Sequence, residues 1–272
     1  MTVRDQRPDA RILGLPRALI GMVHVGALPG TPAYGGDLAA VVDAAVADAR
    51  AYRDAGFQAI AIENMHDRPY LGGRVGPEIV AAMTAVGQEI RRAVPLPLGV
   101  QVLAAANREA LAVALACGAS FIRVEAFIFA HVADEGLLQA SAGDLLRYRR
   151  ALGAQSIQIF ADIKKKHAAH AITGDVDLVE TAHAAEFFLA DGVVVTGVST
   201  GRQTAPEDVA QVADAVSMPV LVGSGLTPDN LDAYPGAAGF IVGSWVKRDG
   251  RWTEPVDPQR AAHMARAFAA LR

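Results

Sequence analysis

Cysteine is nearly absent from this 272-residue chain, which contains only Cys117. A single cysteine excludes a disulfide scaffold and any cysteine-based zinc or iron–sulfur site within one chain. No apolar run approaches the ~20 residues that a membrane span needs, and residues 1–17 lack the apolar stretch of a signal peptide. These absences predict a cytoplasmic protein of a reducing compartment, without an integral membrane segment.

An excess of one charge sign is also lacking. The net charge is −4, from 25 Lys and Arg against 29 Asp and Glu, and both signs are scattered. Without a basic stripe, nucleic acid is not an expected partner. The chain has no Gly-x-Ser-x-Gly elbow and no Walker motif, which argues against serine hydrolase and P-loop chemistry. The 52% hydrophobic content nevertheless suffices for a sizeable core.

Eight short apolar runs repeat along the chain, and each closes on a polar residue or glycine. They cover 19–23, 59–62, 98–102, 121–124, 157–161, 193–195, 220–222 and 240–242. Continuously apolar runs are typical of parallel strands buried on both faces. Helical patterns follow at 38–55, 77–93, 107–116, 144–152, 177–190, 206–216, from Thr227 onward, and at 257–271. Eight strand–helix units in about 250 residues predict an α/β fold, the (β/α)8 TIM barrel.

No linker rich in Pro, Gly, Ser or charge divides the chain, so the expectation is one domain. Residues 1–17 would form an N-terminal extension, and the barrel would occupy about 18–272. The alternative is a doubly wound open sheet, which needs a glycine-rich turn opening a helix after the first strand. The segment 26–36, GALPGTPAYGG, contains two prolines and opens no helix at once, which favours the barrel.

Polar residues close the apolar runs, and the carboxyl ends of TIM-barrel strands form the active site. We therefore expect one pocket to collect these side chains. The set is His24, Glu63, Asn64, Gln101, Arg123, Glu125, Asp162, Lys164, Thr196 and Ser224, with Gly197 beside Thr196. Buried charges are costly unless paired, so the alternative is an internal ion-pair network, for instance Arg123 with Glu125 or Asp162.

Two glycine–serine segments end the last two apolar runs. They are Gly223-Ser224-Gly225 and Gly243-Ser244. Glycine lets the backbone approach a ligand, successive N–H groups can bind an anion, and a short helix starting at Ser244 would aim its N-terminus at the same point. Because barrels often bind phosphate between these loops, we predict a phosphate site there. The alternative is that the glycines only make tight turns.

Asp162 and Lys164 follow the fifth run and would share one side of a continuing strand. The carboxylate suits a general base, and the lysine suits an anion contact or a Schiff base. Glu63 and Asp162 together offer oxygen ligands to a divalent cation such as Mg²⁺, although no cofactor is firmly implied. His24 is a candidate acid, base or ligand. Lys165 and Lys166 are expected to be solvated.

Several blocks of this sequence together resemble one known family, the BtpA/SgcQ family. The blocks are GMVHVGALPGTPAYGG, IENMHDRPY, FIRVEAFIFAHVADEGLL, FADIKKKHA, VVVTGVSTG and GFIVGSWVKRDGRWTEPVD. The resemblance runs from about Ile20 to Pro258 and implies a barrel of the ribulose-phosphate-binding type. Members of that family are named for a role in photosystem I biogenesis or lie with sugar-uptake and sugar-phosphate genes.

The family pattern also implies particular site residues. It marks His24, Pro29, Gly30, Glu63, Asn64, Arg123, Asp134, Gly136, Asp162, Lys164, His167, Thr196, Gly197, Thr200, Gly201, Ser224, Gly225, Gly243 and Ser244. The chain departs from that pattern at Gln101 and Glu125, where the family tends to carry Asn. Replacing a neutral amide by Glu125 adds a charge beside the pocket and indicates a divergent subfamily.

Two functions compete at this point. The first is an enzyme acting on a small phosphorylated sugar or nucleotide-like metabolite, with isomerase- or lyase-type chemistry. Asp162 or Glu63 would then be the base, and Lys164 or a metal would stabilise the enolate. The second is a non-enzymatic assembly factor for a membrane protein complex such as photosystem I, which predicts an exposed apolar patch. A homo-oligomer is expected in either case.

Overall fold

The computed structural model describes residues 11–165, 167–197 and 203–271, and it confirms the predicted TIM barrel. Eight parallel strands close in the order β1–β2–β3–β4–β7–β9–β10–β11. The barrel strands are β1 (Ala18–His24), β2 (Ala59–Glu63), β3 (Leu98–Gln101), β4 (Phe121–Val124), β7 (Gln158–Ile163), β9 (Gly192–Val195), β10 (Val220–Val222) and β11 (Gly239–Val242).

Helices follow most of the strands and cover the outside of the barrel. They are α1 (Leu38–Ala55), α2 (Pro77–Ala93), α3 (Asn107–Cys117), α4 (Ala142–Ala151), α5 (Leu178–Phe187), α6 (Pro206–Ala215) and α7 (Pro258–Ala269). The α-helix predicted after Thr227 is wrong, because only a 3-10 turn forms there, at Leu231–Ala233. No helix in the described ranges is long and apolar enough to span a membrane.

Two hydrophobic layers hold the barrel together. The outer layer lies between the strands and the helices, and at one point α1 packs against β1 so closely that a Cβ on Gly21 would lie 2.4 Å from the Tyr52 ring. The inner layer fills the barrel itself, where Phe121 and Phe160 pack with ring centroids 5.4 Å apart. Ile12 joins this inner layer, so the barrel below the strand ends is a packed core rather than a channel.

A small antiparallel sheet lies outside the barrel, in a region that the sequence analysis left without strands. Its strands are β5 (His131–Ala133), β6 (Gly136–Leu138) and β8 (Ala168–Ala169), with β5 in the middle. Gly136 has φ 100°, a left-handed conformation that lets the chain turn between β5 and β6. Because β8 follows β7, this sheet ties the connection after β4 to the connection after β7.

Candidate functional site

The carboxyl ends of the barrel strands surround a cavity of about 510 Å³. Most of the predicted site residues line it, namely His24, Glu63, Gln101, Arg123, Glu125, Gly223, Ser224, Gly225, Gly243 and Ser244. The other predicted residues are absent from its wall, namely Asn64, Asp162, Lys164, Thr196 and Gly197. The cavity falls within the usual size range of small-molecule sites, about 300–1,000 Å³.

Arg123 and Asp162 form a buried bidentate ion pair beside the cavity. Arg123 donates through Nε and Nη2 to the two carboxylate oxygens of Asp162, at 2.8 and 2.9 Å. Burial disfavours the charged guanidinium, but the Asp162 carboxylate, together with Glu63 and Glu125, more than offsets that effect and raises the pKa of Arg123. This is the ion-pair alternative considered from the sequence, and it engages both oxygens that Asp162 would need as a base or metal ligand.

Glu125 and Lys165 form a second buried pair, and both side chains line the cavity. Lys165 Nζ lies 3.2 Å from Glu125 Oε2, which also accepts from the N–H of Ala105. Asn107, at the start of α3, donates to the carbonyl oxygen of Glu125 at 2.7 Å and fixes this turn. The expectation that Lys165 is solvated is therefore wrong, since only 7% of it is exposed.

Burial also changes the pKa of Glu125. Loss of solvent raises the pKa of Glu125, and the nearby carboxylate of Asp162 adds to the rise. The ammonium group of Lys165 opposes both effects without cancelling them. A carboxylate with a raised pKa is a better general base near neutral pH than an ordinary surface glutamate.

Lys164 points away from the cavity, contrary to its expected position beside Asp162. Strand β7 ends at Ile163, and Lys164 adopts a left-handed φ of 47°. That turn breaks the two-residue alternation on which the expectation depended. The Lys164 ammonium instead donates to the carbonyl oxygen of Thr173 at 3.0 Å. Lys166 lies outside the described residues.

Three neighbouring strands present a row of polar side chains to the cavity. In the strand register, His24 on β1 pairs with Glu63 on β2, and Glu63 pairs with Gln101 on β3. His24 Nδ1 lies 2.9 Å from the carbonyl oxygen of Trp252, which orients the imidazole. The Gln101 side-chain oxygen is buried and has no hydrogen-bond partner in the part of the chain that the structure describes.

The other predicted residues support the site from outside the cavity. Asn64 donates to Asp67 and accepts from the N–H of Leu103, both at 2.8 Å, so it joins the loops that follow β2 and β3. Gly197 donates its N–H to Ser224 Oγ at 2.7 Å. Thr196 is packed against Gly223, where an added Cβ would lie 2.9 Å from the Thr196 methyl carbon. Thr200 and Gly201 lie outside the described residues.

The loop after β10 owes its shape to glycine and to side-chain hydrogen bonds. Gly225 has φ 68°, in the left-handed region that other residues rarely adopt. Asn230 holds the loop by donating to the Gly225 carbonyl at 2.9 Å and accepting from the N–H of Thr227 at 2.8 Å. Thr204 donates to the carbonyl of Ser224 at 3.2 Å.

The loop after β11 lies directly against His24. A Cβ on Gly243 would be 3.1 Å from His24 Nε2, so glycine permits this close approach. The helix expected from Ser244 is only a 3-10 turn, Ser244–Val246, and therefore contributes no extended helix dipole. No backbone carbonyl of the described residues accepts from the N–H of Gly225 or of Ser244. Both N–H groups lie on residues that line the cavity, as an anion site requires.

An aromatic and cationic wall, not predicted from the sequence, completes the cavity. Trp252 lines the cavity, with the Arg68 guanidinium carbon 4.8 Å from its ring centroid and the His66 ring 5.0 Å away. Tyr70, Met65, Trp245 and Glu135 are further lining residues that were not predicted. They lie in the connections after β2, β4 and β11, where neither hydrophobic period nor a short motif marks them.

A metal site requires several suitable ligands close together. Within the described ranges, no group of three or more His, Cys, Asp and Glu side chains is arranged to hold a metal ion. Glu63 lines the cavity, whereas Asp162 is held by Arg123 outside its wall. The predicted pairing of Glu63 with Asp162 as metal ligands therefore has no support in the geometry of these two side chains.

Comparison with known protein families gives a match over nearly the whole chain. Residues 16–270 match the model of the BtpA family. An uncharacterised protein of Caenorhabditis elegans, described as mitochondrial, is 43% identical, and the match covers 97% of each chain. The photosystem I biogenesis protein BtpA of Synechocystis is 37% identical, over 92% of this chain and 88% of the relative.

Solved structures of similar shape are distant in sequence. An orotidine 5′-monophosphate decarboxylase from Methanocaldococcus jannaschii, solved with an inhibitor, superposes with a TM-score of 0.59 at 12% identity. It covers 92% of this chain and 97% of its own. A thiamine phosphate pyrophosphorylase from Pyrococcus furiosus gives a TM-score of 0.56 at 15% identity, covering 93% and 95%. At these identities the likeness establishes the barrel fold alone.

Proposed function

The chain belongs to the BtpA family, and from its cavity we propose that it is an enzyme acting on a small phosphorylated metabolite. One observation carries the proposal. The same cavity holds two glycine–serine loops suited to an anion and a buried Glu125–Lys165 pair suited to proton transfer. The reaction class that these groups fit is isomerase- or lyase-type proton abstraction next to a carbonyl.

The phosphate would bind between the loops that follow β10 and β11. The N–H groups of Gly225 and Ser244 would donate to its oxygens, together with the hydroxyl groups of Ser224 and Ser244. Phosphate at this place is common to many barrels, because the last two strand loops come together there. Support for it here is the left-handed Gly225 and the narrow approach of Gly243 to His24.

Glu125 or Glu63 would take the proton from the substrate carbon. Burial raises the pKa of Glu125, which suits this carboxylate for the role. Glu63 lines the same cavity. The electron pair left by the proton would move onto the carbonyl oxygen, where Lys165 would stabilise the resulting enolate. These assignments replace Asp162 and Lys164, whose side chains are committed elsewhere.

A thermal-shift screen of the full chain tests this function. Sugar phosphates, nucleotides and inorganic phosphate should raise the melting temperature of the wild type in a concentration-dependent manner. The shift should shrink in Ser224→Ala and persist in Ser217→Ala, a matched control on the exposed surface. Running each ligand with and without Mg²⁺ asks whether a divalent ion contributes. The proposal fails if no phosphorylated compound shifts the wild type.

A second candidate function rests on a separate surface. Phe187, Phe188 and Leu189, at the end of α5, are 82%, 46% and 68% exposed, and we refer to them as the apolar patch. Contiguous exposed apolar residues of this kind mark interaction sites in many soluble proteins. The patch suits an assembly factor, consistent with the name of the Synechocystis relative, or a contact between copies of this chain.

The enzyme function and the assembly function predict different effects of the same substitutions. An assembly role requires that Phe187→Ser with Leu189→Ser abolishes partner capture or oligomer formation, measured by pull-down and by size-exclusion chromatography with light scattering. It also requires that Ser224→Ala leaves that association intact. Loss of the biological role in Ser224→Ala alone, with the patch unchanged, supports the enzyme instead.

A further inference from the structure

We propose that the substrate is a phosphate ester that also carries a flat nitrogen heterocycle, as a nucleoside monophosphate does. This inference rests on the proposed function, which places the phosphate at Gly225 and Ser244. The cavity volume is about 510 Å³, and Met22, Met65, Leu103, Trp245 and Trp252 make part of its wall apolar. A bare sugar phosphate presents hydroxyl groups on all sides and would leave this apolar wall in contact with water.

The apolar wall contains two planar groups, an indole and a guanidinium, that contact each other. Trp252 lines the cavity, and the planar guanidinium of Arg68, another lining residue, lies over its indole. Indole and guanidinium planes both stack on heterocycles, and such stacking tolerates many ring types. The thioether side chains of Met22 and Met65 also line the cavity, and such side chains adapt well to an aromatic neighbour.

The loop that carries Trp252 is tied to the fold, so the indole is positioned before any ligand arrives. Lys247 is fully buried and pairs with Asp48 on α1 at 2.7 Å. The other Asp48 oxygen accepts from the N–H of Val256 at 2.8 Å. These contacts clamp both ends of the loop, and the Trp252 carbonyl meets His24 between them. Preorganisation of this kind lowers the entropy cost of binding a ring.

Gln101 supplies the polar recognition that a heterocycle edge needs. It is 3% exposed, lines the cavity, and its Oε1 has no partner in the described ranges. A buried acceptor left unpaired costs free energy, so a ligand that donates an N–H there gains affinity. A carboxamide offers both an acceptor and a donor, the combination that reads the edge of a base.

The strand order places Gln101 across the barrel from the two loops that would bind the phosphate. Around the eight-strand ring, β10 lies four positions from β3, and β11 lies four positions from β4. A ligand anchored at Gly225 and Ser244 therefore extends towards Gln101 on β3. The cavity thus provides an anion site at the loops after β10 and β11, the Arg123 guanidinium next to Gly223, and Gln101 on the far side.

Trp252 fluorescence gives a direct readout, because the chain has two tryptophans and both line the cavity. In full-length Trp245→Phe, Trp252 is the sole tryptophan. The probes are the adenosine, guanosine, cytidine and uridine 5′-monophosphates, with ribose 5-phosphate as the matched ring-free ligand. At least one nucleotide should quench Trp252 and bind about tenfold more tightly than ribose 5-phosphate, whereas ribose 5-phosphate should leave the emission unchanged.

Calorimetry of Gln101→Met and Trp252→Leu separates the two ring contacts. Each of these two variants should lose the tenfold preference for the nucleotide while keeping the wild-type Kd for ribose 5-phosphate. Trp252→Phe should restore most of that preference. Phe187→Leu is the control, and it should behave like the wild type. The inference is overturned if ribose 5-phosphate binds as tightly as every nucleotide, or if both variants keep the preference. If neither class of ligand nor inorganic phosphate binds the wild type, the proposed function fails together with it.

Discussion

The two sides of the cavity are built from different materials. The side formed by β10 and β11 consists of glycine backbone and serine hydroxyl groups, with Gly225 in a left-handed conformation. A second side, at β4 and β7, consists of buried charges held in pairs, Arg123 with Asp162 and Glu125 with Lys165. Backbone dipoles hold an anion without needing a counterion, whereas each buried charge depends on its partner for stability. The first side therefore suits binding, and the second suits proton transfer.

Removing one partner from the charged side should produce the largest change. Asp162→Ala leaves the Arg123 guanidinium buried and unpaired, and we expect a loss of about 3–5 kcal/mol in the free energy of unfolding. Asp144→Ala is the matched control, since its partner Arg108 is exposed and such pairs contribute about 1 kcal/mol or less. Urea unfolding followed by circular dichroism measures both. Equal losses in the two variants would contradict the buried-pair interpretation.

The glycine side should show a smaller effect on stability but a specific one on binding. Gly225→Ala forces a Cβ into the left-handed region and should cost about 1–2 kcal/mol of stability. Gly118→Ala, at the left-handed end of α3, should cost a similar amount. Only Gly225→Ala should weaken the binding of phosphate esters, as measured by calorimetry. If the two variants bind phosphate esters equally well, the phosphate does not bind at this loop.

The charged side also predicts a pH dependence of smaller size. Because the pKa of Glu125 is raised on folding, the folded protein holds this proton at pH values where the unfolded chain has lost it. Stability should therefore fall as pH rises from about 4.3, the ordinary glutamate value, through the folded pKa. Glu125→Gln should lack this component, which thermal unfolding from acid to neutral pH will reveal. The same pH slope in both proteins would refute it.

The smallest effect is expected at a third place, the apolar patch, which lies outside the cavity. Phe187→Ser removes a side chain that is 82% exposed, so stability should change by less than about 0.5 kcal/mol. Binding of phosphate esters should remain at the wild-type level in calorimetry. A marked loss of either quantity would connect the patch to the cavity and blur the separation of the two functions.

The strand framework could be predicted because its signal is local. Continuous apolar runs marked all the barrel strands, and the glycine–serine pairs marked the two loops after β10 and β11, as the structure places them. Gly56 ends α1 in a left-handed conformation, with φ 95°. In each case the identity of the residue reports the backbone conformation directly.

Part of the charged side was anticipated, because Arg123 with Asp162 was one of the ion pairs considered from the sequence. The Glu125–Lys165 pair could not be predicted in the same way, because its geometry depends on one unusual turn. Lys164 adopts a positive φ without being glycine, and that single turn directs Lys165 rather than Lys164 into the cavity. The conformational preference of lysine does not predict this turn. Trp252 was missed for a related reason, since it reaches the cavity through the Lys247–Asp48 pair, which joins positions 199 residues apart. Contacts of that separation are set by tertiary packing.

The position of a bound phosphate tests the central claim most directly. A crystal structure of the full chain grown with saturating ribose 5-phosphate would locate it. We expect phosphate oxygens within about 3 Å of the backbone nitrogens of Gly225 and Ser244, with the sugar extending towards Glu125. A phosphate bound elsewhere, or a cavity without ligand at saturating concentration, would contradict the account.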